Sequence, residues 1–147
     1  MNNKRSLILL VTLAICLLGL PIMSCSGEVS FTTARLSEIT MAKSIDENTF
    51  QPIEKTSTFS TDTPEIFLSA KFSNAPSETE VKAEWIYVAG EAGEENYLID
   101  TVSINVVGTD YLYFSPPRPD QGWPVGQYKV ILYVDGKEAS TVTFTVQ

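Results

Sequence analysis

The reactive side chains of this 147-residue chain are two cysteines, 18 carboxylates and a set of aromatic rings, with no histidine among them. Without histidine the commonest general base is missing, and with it the Ser-His and Cys-His pairs that activate nucleophiles. Histidine-ligated zinc goes too, and two cysteines cannot replace it. Glu91, Glu94, Glu95 and Asp100 could gather oxygens for a divalent cation, but such a site takes roughly six to eight in defined geometry. Their spacing matches no Asp-x-Asp-x-Asp-Gly loop and describes a solvated acidic turn better. Asp110 and Asp120 could act as a hydrolytic carboxylate pair only if the fold brought them to a working separation. Trp123, between Gly122 and Pro124, is either an exposed ring for stacking on a ligand or a cap beside Tyr128. Tryptophan is mostly buried, which favours the cap. Tyr111, Tyr113 and Tyr133, with Ile131 beside the last, can share an outward recognition patch, since tyrosine is enriched at interfaces. Ordinary cross-strand aromatic pairing accounts for them more simply. The remaining chemistry belongs to the Cys25 thiol.

Cys25 follows a distinctive leader. Lys4 and Arg5 open an apolar run from Leu7 to Leu20, and Pro21-Ile22-Met23-Ser24-Cys25-Ser26-Gly27 closes it with small residues. A basic start, a short apolar stretch and a small-residue site describe a secretory signal. The run falls short of the roughly 20 residues of a spanning helix. With Ile22 and Ser24 just ahead of the cysteine, the segment resembles a bacterial lipoprotein signal. That resemblance implies cleavage before Cys25, lipidation of its thiol, and a mature protein held on the extracytoplasmic face of the cell membrane. Two or more acyl chains anchor stably where one does not. An uncleaved anchor and a soluble product cut near Ser24 are the alternatives. The expected organisation is a signal peptide over 1–24, a short tether over 25–36 and one domain over 37–147.

Composition narrows the domain further. About 123 residues remain after the signal, enough for a core without a staple. No disulfide is available to them, because Cys16 leaves with the signal and Cys25 would carry lipid. Ten basic residues less Lys4 and Arg5 leave eight against 18 acidic ones, a net charge near −10. Such a surface repels phosphate backbones and anionic headgroups, so no nucleic-acid partner is expected and the lipid is the membrane hold. Solubility is a sufficient reason for the acidity, ahead of cation recruitment.

Past the tether the period is two, not 3.6. Alternation places strands around Ile39–Ile45, Ile66–Phe72, Val81–Tyr87, Val102–Val106, Leu112–Phe114, Tyr128–Val134 and Val142–Val146. Asn74-Ala75-Pro76 and Gly108-Thr109-Asp110 read as stops between them. Asp46 to Ser57 reads as a long connection, with Phe59 entering the core near its end. Asp135-Gly136 is a strong type I′ hairpin signal, which needs positive φ at both central residues. About seven strands favour an all-β, two-sheet sandwich without a disulfide.

Trp85 and Gly126-Gln127-Tyr128-Lys129-Val130 make this pattern resemble an immunoglobulin-like domain. The resemblance implies a buried tryptophan on the third strand and a tyrosine corner at Tyr128, with Val130 in place of the second cysteine. The stretch from Gly122 to Lys137, reaching back through Trp85 and Phe59, also resembles small bacterial and archaeal surface lipoproteins. That likeness implies fold and location, and transfers no catalytic residue. The expectation is a lipid-anchored, non-catalytic envelope module without cofactor or metal. Trp123, Tyr111, Tyr113 and Tyr133 are its candidate surface, for a protein or glycan partner. A structural envelope protein self-associating through the final strand is the alternative, and a carboxylate-based hydrolase a remoter one.

Overall fold

A computed structural model describes residues 33–147. The leader, Cys16, Cys25 and most of the 25–36 tether lie outside the described residues, and so do the expectations that fall on them. Within the described residues the chain is all-β with no helix, a curled mixed sheet. Its strands are β1 (Arg35–Ala42), β2 (Thr58–Phe59), β3 (Phe67–Gly90), β4 (Tyr97–Phe114), β5 (Gly126–Val134) and β6 (Lys137–Val146). Hydrogen bonding orders them β1-β3-β5-β6-β2, with β4 attached to β3. Among the described strands only the β2–β6 pair is parallel.

Period-two alternation decides which face each strand buries. On β3, Val81, Ala83, Trp85 and Tyr87 point inward, and on β5 so do Tyr128, Val130, Leu132 and Val134. Phe59, Phe114, Phe144 and Val146 complete the centre of the same core. The β5–β6 hairpin turns at Asp135 and Gly136 with φ of 48° and 75°, the pair of positive values the Asp-Gly signal predicts. Phe59 enters the core as expected, edge-on to Phe144 at 5.5 Å between ring centroids.

Three sequence expectations are corrected. Asn74-Ala75-Pro76 and Gly108-Thr109-Asp110 do not end strands, so six strands replace about seven. Asn74 and Glu78 adopt φ of 54° and 68° and Gly108 adopts 82°, which bends β3 and β4 while Ala75 still pairs with Gly108. Pro76 sits in the irregular stretch, where no ladder N–H is needed, and its carbonyl accepts from Thr79 Oγ1 at 2.9 Å. The first strand lies over Arg35–Ala42 rather than around Ile39–Ile45. A bulge between Ser37 and Thr40, with Glu38 at φ 49°, resets its register. Lys43 and Ile45 pass instead into an excursion braced by the isolated bridges Ala42–Lys55 and Ile45–Pro52. Asp46 Oδ1 nucleates its turn, accepting from the backbone N–H of Asn48 and Thr49, both at 2.9 Å. The final strand, finally, is not wholly open at its edge. β2 lies along Thr145 and Val146, and the N–H groups of Thr145 and Gln147 donate to Ser57 O and Phe59 O.

Candidate functional site

At one end of the sheet the last residues of β3 and the first of β5 close to unusual proximity. Gly90 pairs with Gly126 across them. A Cβ on Gly126 would lie 2.5 Å from Ala89 O and 2.7 Å from Tyr87 Cε2, so both positions need glycine for space. That approach lets two tyrosines tie the connecting loops to the sheet. Tyr87 donates its hydroxyl to Val125 O at 3.1 Å and accepts from the Ala92 N–H at 3.0 Å. Tyr128 donates to Pro124 O at 2.6 Å, four residues upstream, which is the bond of a tyrosine corner. Its ring packs edge-on to Tyr87 at 5.0 Å and stacks on Phe144 at 4.9 Å. Burial pushes its hydroxyl well above the ordinary tyrosine range, with Tyr87 adding to the rise. Both hydroxyls are engaged in these bonds to backbone. Tyr128→Phe keeps the ring and deletes one bond, so it is expected to lower stability by about 0.5–1.5 kcal/mol. Urea melts of the two proteins check this; identical midpoints would mean that the corner contributes nothing.

Trp123 is fixed from a second direction. Its backbone N–H donates to Thr61 O and its indole N–H to Thr63 O, each at 2.9 Å. Gly122, at φ 84°, precedes it, and a Cβ there would meet Thr61 O at 2.6 Å. The ring is only 2% exposed. It is a cap joining the loop after β4 to the turn at Ser60–Thr63, and is not free to stack across both faces of a ligand.

Between the turn after β3 and the loop before β5 these groups leave a cleft of about 330 Å³. Tyr87, Trp123 and Tyr128 form its floor, Ile99, Pro119 and Pro124 its sides, and Tyr97 and Glu94 its rim. Tyr97 is 55% exposed and offers the most accessible ring. The lining is apolar with a single carboxylate and no basic group. Such a cleft can take up an apolar or ring-bearing group and accept a hydrogen bond through Glu94. It holds no nucleophile paired with a base.

Two expectations from sequence, the acidic turn and Trp123, therefore meet in one place. Among the described residues no three of His, Cys, Asp or Glu converge to hold a metal, so Glu91, Glu94, Glu95 and Asp100 do not assemble as ligands. Asp110 lies on β4, its Oδ1 accepting from the Tyr111 N–H, and Asp120 lies in the turn that Gly122 N closes on Pro119 O.

Of the three remaining tyrosines, Tyr111 and Tyr113 line one groove along β4, while Tyr133 is on β5. Tyr111 donates to Glu38 Oε2 at 2.5 Å, with the Lys71 ammonium 5.7 Å from its ring centroid and 3.4 Å from Glu38. Tyr133 donates to Glu84 Oε2 at 3.0 Å, with Lys82 4.1 Å from its centroid and 2.6 Å from Glu84. Tyr113 packs with Phe50 at 5.1 Å and Phe67 at 5.9 Å. The tyrosine hydroxyl chiefly holds the Glu38 carboxyl below its usual range, and the Lys82 ammonium chiefly does so for Glu84. These ties favour the folded state above the ordinary glutamate range and weaken as acid protonates the carboxylates. Tyr87 and Tyr97 are the site residues that sequence reasoning missed. The glycines facing each other at 90 and 126 were their only trace in the chain.

No family model and no curated protein sequence matches the chain. Solved structures resemble it in fold. One is an alkylpurine DNA glycosylase from Pseudomonas fluorescens bound to DNA containing an abasic site analog. It is 12% identical with a TM-score of 0.50, over 79% of this chain and 31% of that one. Another is an immunoglobulin-like protein from Pseudomonas aeruginosa, 13% identical with a TM-score of 0.48, over 78% and 96%. A β-glucosidase from Bifidobacterium adolescentis is 12% identical with a TM-score of 0.44, over 80% and 18%. The chain thus spans under a third of the glycosylase and under a fifth of the glucosidase. Each likeness concerns the fold and carries no activity across.

Proposed function

We propose that this chain is an immunoglobulin-like, two-layer sandwich tethered by lipid on Cys25 to the extracytoplasmic face of the cell membrane. There it acts as a non-catalytic binding or accessory module for a protein or glycan partner. The layered reading draws support from the bends in β3 and β4. Their Phe67–Phe72 and Asp110–Phe114 segments pair with each other beside β1, and their later and earlier segments pair beside β5. The Tyr128 bond to Pro124 O and the buried Trp85 are further supports. The observation that carries the binding role is the aromatic cleft with Glu94 and Tyr97 at its rim.

Two measurements test the proposal. Cys25→Ala should abolish fatty-acid labelling and leave the leader uncut by lipoprotein signal peptidase. Unchanged labelling would remove the anchor. Tyr97→Ala removes an exposed ring, so stability should change by no more than about 0.5 kcal/mol. Partner recovery after crosslinking in living cells and mass spectrometry should nevertheless fall severalfold. Undiminished recovery would move the binding site off this cleft.

A further inference from the structure

Phe50 stands in a backbone conformation that a bulky residue rarely adopts. Its φ is 57°, in the left-handed region where glycine or asparagine carries less strain. It is pinned on both sides. Its N–H donates to Asp46 O at 2.7 Å, and its carbonyl accepts from the wholly buried Ser69 hydroxyl at 2.7 Å. Ser69 pairs with Tyr113 across β3 and β4, so this tie brings the Phe50 ring against Tyr113, 5.1 Å between centroids. The two rings are nevertheless 36% and 40% exposed. Strain kept to hold a partly open ring, where a polar turn residue would sit more easily, points to a use for that ring.

Phe50, Tyr113 and Phe67 line a pocket of about 420 Å³, within the range of small-molecule sites. Tyr113 is tilted by 51° to Phe50 and by 60° to Phe67. The three rings therefore make a concave wall and not a flat platform for a sugar face. Glu47 and Glu65, both exposed, line the same pocket, and no Lys or Arg does. Lys71, further along β3, is already tied to Glu38 at 3.4 Å. Aromatic faces are electrostatically negative, and a cation within about 6 Å of a ring centroid is drawn to them. The two carboxylates reinforce that attraction and repel anions, while a neutral apolar guest would desolvate them without return. We infer that this pocket binds a methylated ammonium group, carried by a choline-like solute or a lipid headgroup. Such a group is bulky and spreads its charge over methyls, so it needs ring faces rather than directed hydrogen-bond acceptors. The pocket is separate from the cleft at Tyr97, and neither reading depends on the other.

The test uses the full chain in micelles of an uncharged detergent, with choline as the probe. Saturation-transfer NMR should show choline methyl protons receiving magnetisation from the protein, saturably and with tetramethylammonium as a competitor. The neutral carbon analogue, with tert-butyl in place of trimethylammonium, should bind at least roughly fivefold more weakly. Glu47→Gln with Glu65→Gln keeps the shape at two exposed positions and should weaken choline severalfold. Phe50→Leu keeps an apolar side chain without a π face and should weaken choline by roughly fivefold. Tyr113→Leu repeats that change on a regular strand, away from the strained turn. Phosphatidylcholine in the micelles separates the two sources: it suppresses the choline signal if the headgroup reaches the pocket, and leaves it if only a free solute does. Equal affinity for choline and its carbon analogue would overturn the inference. So would choline binding unchanged in the glutamine pair and both leucine variants, or no transfer at millimolar choline.

Discussion

Replacing Trp85 with alanine is expected to lower the unfolding free energy by about 3–5 kcal/mol. The ring is 1% exposed, lies between Asp100 and Val130 in the strand register, and meets Phe144 edge-on at 6.0 Å. Truncation removes the burial of a large aromatic and leaves a cavity that flanking strands cannot close without breaking their ladders. Its indole N–H has no acceptor among the described residues, which makes a second comparison informative. Trp85→Phe loses part of the volume and no hydrogen bond, so it should recover more than half of the stability lost in the alanine variant. Denaturant midpoints at fixed slope measure both. A loss under about 1 kcal/mol in Trp85→Ala would contradict its burial.

Trp123→Ala is expected to cost a similar amount, about 3–5 kcal/mol, for a different reason. Here the ring joins two loops, and its removal also strands Thr63 O, which now accepts the indole N–H at 2.9 Å. Trp123→Phe should therefore remain about 1–3 kcal/mol below the parent protein, because the acceptor loses its donor in a buried setting. The contrast between the two tryptophans is the informative result. Phenylalanine substitutes well where the indole nitrogen is unpartnered and poorly where it is bonded. Full stability in Trp123→Ala, with partner capture lost, would make the ring a contact residue rather than a cap.

What was legible in the chain was its alternation. Val81 to Tyr87 and Tyr128 to Val134 announce buried faces because a pleated strand with one dry side has no other way to write itself. Asp135-Gly136 announces its turn because few residue pairs tolerate two positive φ values. The bends at Asn74–Glu78 and Gly108 were misread as ends, since a residue able to reverse a strand can equally kink one. Only the pairing of Ala75 with Gly108, more than thirty positions apart, separates the two outcomes. The cleft was half visible. Trp123 and Glu94 stood out by type, but their meeting with Tyr87 and Tyr97 depends on how closely β3 and β5 approach, and local patterns do not encode that distance. The three outer tyrosines do not make a single patch because Tyr133 is on β5, whereas Tyr111 and Tyr113 share a groove on β4.

The parallel contact of β2 with β6 has a kinetic consequence. It joins segments from near opposite ends of the domain through two residue pairs, so it needs a large closure in chain entropy for few bonds. The β5–β6 hairpin, by contrast, closes over the short Asp135-Gly136 turn. Folding order follows from that asymmetry. Local hairpins are expected to form before β2 docks Phe59 against Phe144. Release of β2 would bare the end of β6 and withdraw Phe59 from the core.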